Sequence, residues 1–314
     1  MKKEQILYLL QNVIPSAKLP SQIDFEISDN CLLIKVSGRG VVANMQENCS
    51  AFEGWAVVIK SAIPEVKRVI LDWDEPQYKL EKENAQKAHY NRFLMRTTNF
   101  KRGYSWFDVA ERRKSDIDIM RELLESKTLV VNFPKNSNRQ HVDKNKKPEA
   151  YLERELVKRW SNSTSITDEQ LPVGLFKDGV VCEENTLTPR RASQIDLWQL
   201  SGNTMRIYEL KVANNKSVGI ISELLFYVCT IQNIVDGLIT YPDLSKEKSI
   251  RHIKEFAKAV NSREIDRVIG YFTAPTFHPL IDSPQLKEII KEILNDNALG
   301  VSYEYKDISD IKIL

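Results

Sequence analysis

Two short segments with a side-chain period of two constrain this chain's architecture more than any other feature. Gln194-Ile-Asp-Leu-Trp198 is followed, after a turn, by Met205-Arg-Ile-Tyr-Glu-Leu-Lys-Val212. Their alternation reads as two strands of a hairpin. Successive side chains leave a strand on opposite faces, so Glu209 and Lys211 point one way and Tyr208, Leu210 and Val212 the other. With Asp196 on the neighbouring strand, two carboxylates and one ammonium converge on a polar spot beside an apolar sheet. Burying such a cluster is costly unless a cation joins it. The pattern is the one expected of a metal-dependent phosphodiesterase site.

The chain has 314 residues, long for one hydrophobic core, so two domains are expected. With 42% hydrophobic and 28% charged residues it has the composition of a globular protein. Cys31, Cys49, Cys182 and Cys229 stand far apart, and they read as buried thiols in a reducing compartment. The apolar run Ile6 to Leu10 is too short for a signal-peptide core. A longer run, Ile220 to Ile239, contains Glu223, Gln232, Asn233 and Asp236, each expensive in lipid, and reads as a buried helix. The expectation is a cytoplasmic protein with no membrane partner.

Periodicity divides the chain into three parts. Residues 1–134 read as an N-terminal α/β domain for recognising a substrate or partner. Its helices fall near Glu4–Val13, Cys49–Ala62, Leu80–Met95 and Trp106–Leu124, and its strands near Asp24–Ile27, Leu32–Val36, Arg68–Trp73 and Leu129–Phe133. Residues 135–148 lack periodicity and read as a linker ending at Pro148. Residues 149–314 begin with a helix from Glu149 to Trp160, whose Leu152, Leu156 and Trp160 form an apolar stripe. After a loop and the hairpin come helices at Ile220–Leu238 and Ile250–Val260, a strand at Arg267–Thr273, a helix at Leu286–Leu294 and a strand at Val301–Tyr305. Strands separated by long helices imply a mixed sheet covered on both faces.

An acid-x-Lys triplet alone is weak, since Glu65-x-Lys67, Glu125-x-Lys127 and Asp310-x-Lys312 also match. Context distinguishes Glu209-Leu210-Lys211: an Asp on the adjacent strand and a Glu-bearing helix, Leu152-Glu-Arg-Glu-Leu-Val-Lys-Arg-Trp160, upstream. In these features residues 149 to about 305 resemble the PD-(D/E)XK nuclease superfamily, which includes type II restriction enzymes, RecB-like nucleases and Holliday-junction resolvases. The resemblance implies an α/β fold: a restriction-endonuclease-like mixed sheet flanked by helices, with the N-terminal α/β domain separate. It departs from the family pattern at Ile195, where the motif has proline.

The resemblance assigns the catalytic set to Glu153, Asp196, Glu209 and Lys211, and favours Glu153 over Glu155. Asp196, Glu209, the Leu210 backbone carbonyl and Glu153 would hold Mg²⁺ or Mn²⁺, hard cations suited to oxygen ligands. Lys211 would orient a metal-bound water and stabilise developing negative charge. Glu223 and Tyr227, four apart on the next helix, stand where several RecB-like nucleases carry Gln-x-x-x-Tyr. They are accessory candidates, against an ordinary intrahelical pairing of the acid. The substrate implied is nucleic acid, DNA in preference to RNA, and cutting both strands would favour a homodimer. The competing class is a catalytically silent nucleic-acid-binding or interaction protein that keeps the fold.

Basic residues suggest phosphate contacts. Arg191 and Lys216 flank the hairpin, each against the reading of a plain surface cation. Residues 87–114 interleave eight basic side chains with six aromatics, and Arg92 and Arg96 share a helical face, as a phosphate-tracking surface requires. The alternative is a solvated face with the aromatics in the core. The four histidines show no ligand spacing, and neither a Walker loop nor a dinucleotide fingerprint is present.

Overall fold

The computed structural model describes residues 1–133, 147–189, 193–212, 217–247 and 252–308. In chain order its first elements are α1 (Lys3–Val13), β1 (Ile23–Ser28), β2 (Cys31–Val36), α2 (Phe52–Ala62), β3 (Arg68–Trp73), α3 (Glu83–Gly103), β4 (Phe107–Val109), α4 (Lys114–Glu125) and β5 (Leu129–Val131). Then follow α5 (Pro148–Trp160), β6 (Ile166–Pro172), β7 (Leu175–Phe176), β8 (Gln194–Ser201), β9 (Thr204–Leu210), α6 (Gly219–Val235) and β10 (Ile239–Thr240). The last are α7 (Ile253–Asn261), β11 (Arg267–Ala274), α8 (Pro279–Asp282), α9 (Pro284–Asn295) and β12 (Ser302–Asp307). Among the described residues no helix is long and apolar enough to cross a membrane.

The chain forms two compact units that alternate along the sequence. The first comprises Met1–Glu122, Lys216–Phe226 and Thr276–Leu299; the second comprises Leu123–Asn215, Tyr227–Pro275 and Gly300–Leu314. Long-range bonds explain why a segment near the C-terminus joins the first unit. The Tyr104 hydroxyl donates to the Leu294 carbonyl at 2.9 Å, and the Ala298 N–H donates to the Gly103 carbonyl at 2.8 Å. Leu286, Ile290 and Leu294 form the buried stripe of α9.

In the first unit the sheet order is β1-β2-β3-β4. β1 and β2 are antiparallel, and β3 and β4 add in parallel. Asp29 and Asn30 connect β1 to β2 with φ of 48° and 60°. Two successive left-handed residues match the right-handed twist of a hairpin, and Asp and Asn tolerate that region best after glycine. β4 lies where the sequence pattern predicts the start of a helix. Its three residues pair with Val69, Ile70 and Leu71, and such a short buried run carries no period of its own.

The second unit is built on a five-stranded mixed sheet of order β12-β11-β9-β8-β6. β12, β11 and β9 run parallel, while β8 pairs antiparallel with both β9 and β6. The strand of the acid-x-Lys triplet is therefore central, as its apolar character requires. The β8–β9 turn has two residues, with Gly202 at φ 57° in the first position. That conformation is the demand of a type II′ turn. Nothing lies within 4 Å of where a Cβ would stand, so dihedral freedom, not space, selects glycine. Pro148 starts α5, where its fixed φ suits the first helical turn. The stripe of α5 then packs Leu152, Leu156, Val157 and Trp160 against Leu197, Tyr208, Leu210, Val212 and Ile308.

Candidate functional site

The face assignments on β9 follow the pleat. Tyr208, Leu210 and Val212 join the apolar cluster under α5. Glu209 and Lys211 leave the strand on the other side, where Lys211 Nζ and Glu209 Oε1 are 2.5 Å apart. They are only 1% and 6% exposed, so the pair is desolvated. The Lys211 N–H donates to the Thr273 carbonyl at 3.0 Å, fixing the end of β9 against β11.

Asp196 stands one step beyond the last paired rung of the hairpin, Leu197–Tyr208. Its Oδ2 accepts from the Leu210 N–H at 3.0 Å. Where β8 and β9 leave their ladder, the side chain thus replaces the missing strand bond. Leu210 contributes that N–H, and its side chain is buried in the apolar cluster.

Glu153 projects from α5 and is 4% exposed. Its Oε2 accepts from Gln170 Nε2 at 2.7 Å. Burial, and after it the charge of Asp196, push the Glu153 carboxyl far above the usual carboxylate range, to about 9. Glu169 and Glu149 act in the same direction, while the Gln170 hydrogen bond opposes them. Glu153 is therefore protonated at neutral pH in this arrangement. Glu155 on the same helix is half-buried and pairs with Lys158 at 2.7 Å.

The arrangement thus brings Glu153 into the field of Asp196, links Asp196 to the backbone of Leu210, and closes Glu209 onto Lys211. These oxygen donors have the chemistry of a hard-cation site. Among the described residues no group of three or more His, Cys, Asp or Glu side chains could hold a metal, so a cation here would rest on Asp196 and Glu209 with water filling its remaining positions.

Other candidates fall elsewhere. Glu223 and Tyr227 are both buried on α6, the first belonging to the first unit and the second to the other. Arg191 and Lys216 lie outside the described residues. Arg92 and Arg96, expected on a phosphate-tracking face, are 1% and 3% exposed in the interior of the first unit. Arg92 Nη2 donates to Asn44 Oδ1 at 2.9 Å, with His89 Nδ1 at 3.0 Å. Arg96 forms a buried ion pair with Glu53 and donates to the Ser50 carbonyl at 2.9 Å. For Arg96 the acid on α2 is the reason: a carboxylate buried at Glu53 draws the guanidinium inward. Cys229 is buried as expected, and Cys31, Cys49 and Cys182 are half-buried.

Sequence reasoning missed β6 altogether. Thr167, Asp168 and Glu169 are three consecutive buried polar residues, and Arg154 Nε lies 3.5 Å from Glu169 Oε1. The available signal was the polar run itself, held between Ile166 and Leu171. Compared with known proteins, the chain matches no family model, no curated protein and no solved structure.

Proposed function

We propose that the second unit hydrolyses nucleic-acid phosphodiester bonds as a PD-(D/E)XK-type nuclease, with DNA as substrate and Mg²⁺ or Mn²⁺ as cofactor. The observation that carries this reading is a buried Glu209–Lys211 pair at the end of a central strand, beside Asp196 on the adjoining strand. A protein that needed only stability gains little from burying such a pair, since apolar residues of similar volume serve as well or better. Charges kept in that position point to chemistry.

On this reading Lys211 supplies positive charge to the scissile phosphate as negative charge develops, in a site with little competing water. Glu209 holds the ammonium in place until substrate arrives. Asp196 is fixed by the Leu210 N–H and needs no reorganisation. Glu153, whose carboxyl is held above the usual carboxylate range by burial and by the charge of Asp196, sits beside Asp196. The cation, when bound, would supply Lewis-acid activation of phosphate and water. The first unit would recognise substrate or partner, and two copies of the chain would serve the two strands of a duplex. Restriction, repair and defence are all roles of this kind.

One observation favours a silent relative that only binds nucleic acid: Lys211 is already paired with Glu209. Digestion of plasmid and single-stranded DNA with Mg²⁺ or Mn²⁺ separates the two readings. Cleavage by the wild type and its loss in Asp196→Ala and Lys211→Ala is the result expected. Equal cleavage by all three indicates a contaminating enzyme and leaves the binding role.

A further inference from the structure

Gln170 holds a conformation that its residue type seldom adopts. It lies in the middle of β6 with φ at 57°, in the left-handed region that favours glycine. The effect on the ladder is local. Glu169 pairs with Leu197 and Leu171 with Ile195, but the rung between them, Gln170 opposite Asp196, is absent. The irregularity therefore stands directly across from the candidate aspartate. From it the Gln170 amide reaches Glu153 Oε2 at 2.7 Å. Kinks of this kind persist where surrounding structure enforces them, and they concentrate at functional sites.

We propose that Gln170 is a positioning residue: its left-handed kink aims the side-chain amide so that Glu153 is held beside Asp196. This inference rests on the phosphodiesterase reading above. A plain bulge would serve to twist or end the sheet, yet β6 continues in register through Leu171 and Pro172. The kink alters one residue's direction and leaves the pairing frame unchanged. Its product is a single hydrogen bond between an edge strand and a buried acid on α5. Glutamine suits the task because an amide donates to a carboxyl oxygen whether or not that carboxyl carries a proton.

A two-by-two cycle tests the assignment, using the full chain and DNA cleavage with Mg²⁺ or Mn²⁺. The four proteins are wild type, Gln170→Gly, Glu153→Ala and the double variant, with Asp196→Ala as control. Glycine accepts the left-handed φ freely, so Gln170→Gly removes the amide without straining the backbone. It should melt within about 2–4 °C of wild type yet cleave about 10–100-fold more slowly. In the Glu153→Ala background the same change should alter the rate by less than about 2-fold, because residues acting through one another are not additive. Should glycine lower the melt further, Gln170→Asn enters the same cycle: it also tolerates the conformation but is one methylene short of Glu153. An equal loss in both backgrounds overturns the assignment, as does a wild-type rate in Gln170→Gly, and neither result touches the difference between wild type and Asp196→Ala. If wild type and Asp196→Ala cleave alike, the nuclease reading fails and takes the positioning role with it.

Discussion

Replacing Lys211 with methionine isolates the energetic consequence of burying the Glu209–Lys211 pair. Methionine matches the length and volume of the lysine stem but leaves the Glu209 carboxylate, 1% exposed, without its ammonium. Breaking a buried pair in this way costs about 3–5 kcal/mol, because the remaining charge stays desolvated. An exposed pair would lose no more than about 1 kcal/mol. At roughly 2–4 °C per kcal/mol for a unit of this size, the variant should melt about 6–20 °C below wild type. Thermal unfolding at neutral pH, followed by circular dichroism with chelator present, measures the shift. The double variant Glu209→Leu with Lys211→Met removes both charges and should recover most of the loss. A Lys211→Met melt within about 2–4 °C of wild type would refute the reasoning, since the pair would then behave as a solvated one.

Two further outcomes follow from other buried groups. The Glu153 carboxyl titrates near 9 in the fold and near 4.5 when unfolded, so between those values the folded state binds the extra proton and stability falls as pH rises. Glu153→Gln lacks this term and should gain on wild type across that window, by at most about 1.4 kcal/mol per pH unit; parallel pH–stability curves in chelator would contradict it. Arg96→Met strands the buried Glu53 carboxylate and should cost about 3–5 kcal/mol in unfolding measurements. At a temperature where it remains folded, the slope of log DNA affinity against log salt should equal wild type. A slope reduced by about 0.9 would place Arg96 on a phosphate after all.

What the sequence made legible was local. The two-residue alternation of β9 sorted Glu209 and Lys211 from Tyr208, Leu210 and Val212, and those faces are the ones observed. The stripe Leu152, Leu156 and Trp160 likewise identified the face that α5 buries. What escaped was set by distant partners. Arg92 and Arg96 carry the letters of a basic surface, and partners distant in sequence such as Asn44 and Glu53 hold them inward. β6 shows no hydrophobic alternation because its buried positions include Asp168 and Glu169. The kink at Gln170 has no sequence signature, since glycine or asparagine would be the residues to expect there. The membership of α9 in the first unit depends on bonds such as Tyr104 to Leu294, which no local pattern encodes.

A crystal grown with Mn²⁺ and imaged at the metal's absorption edge bears most directly on the proposed chemistry. The account predicts one anomalous peak bound by both Asp196 and Glu209, at oxygen distances of roughly 2.0–2.6 Å, with Lys211 released from Glu209. A crystal with no ion at these carboxylates, and with Glu209 still closed on Lys211 at saturating Mn²⁺, would contradict it.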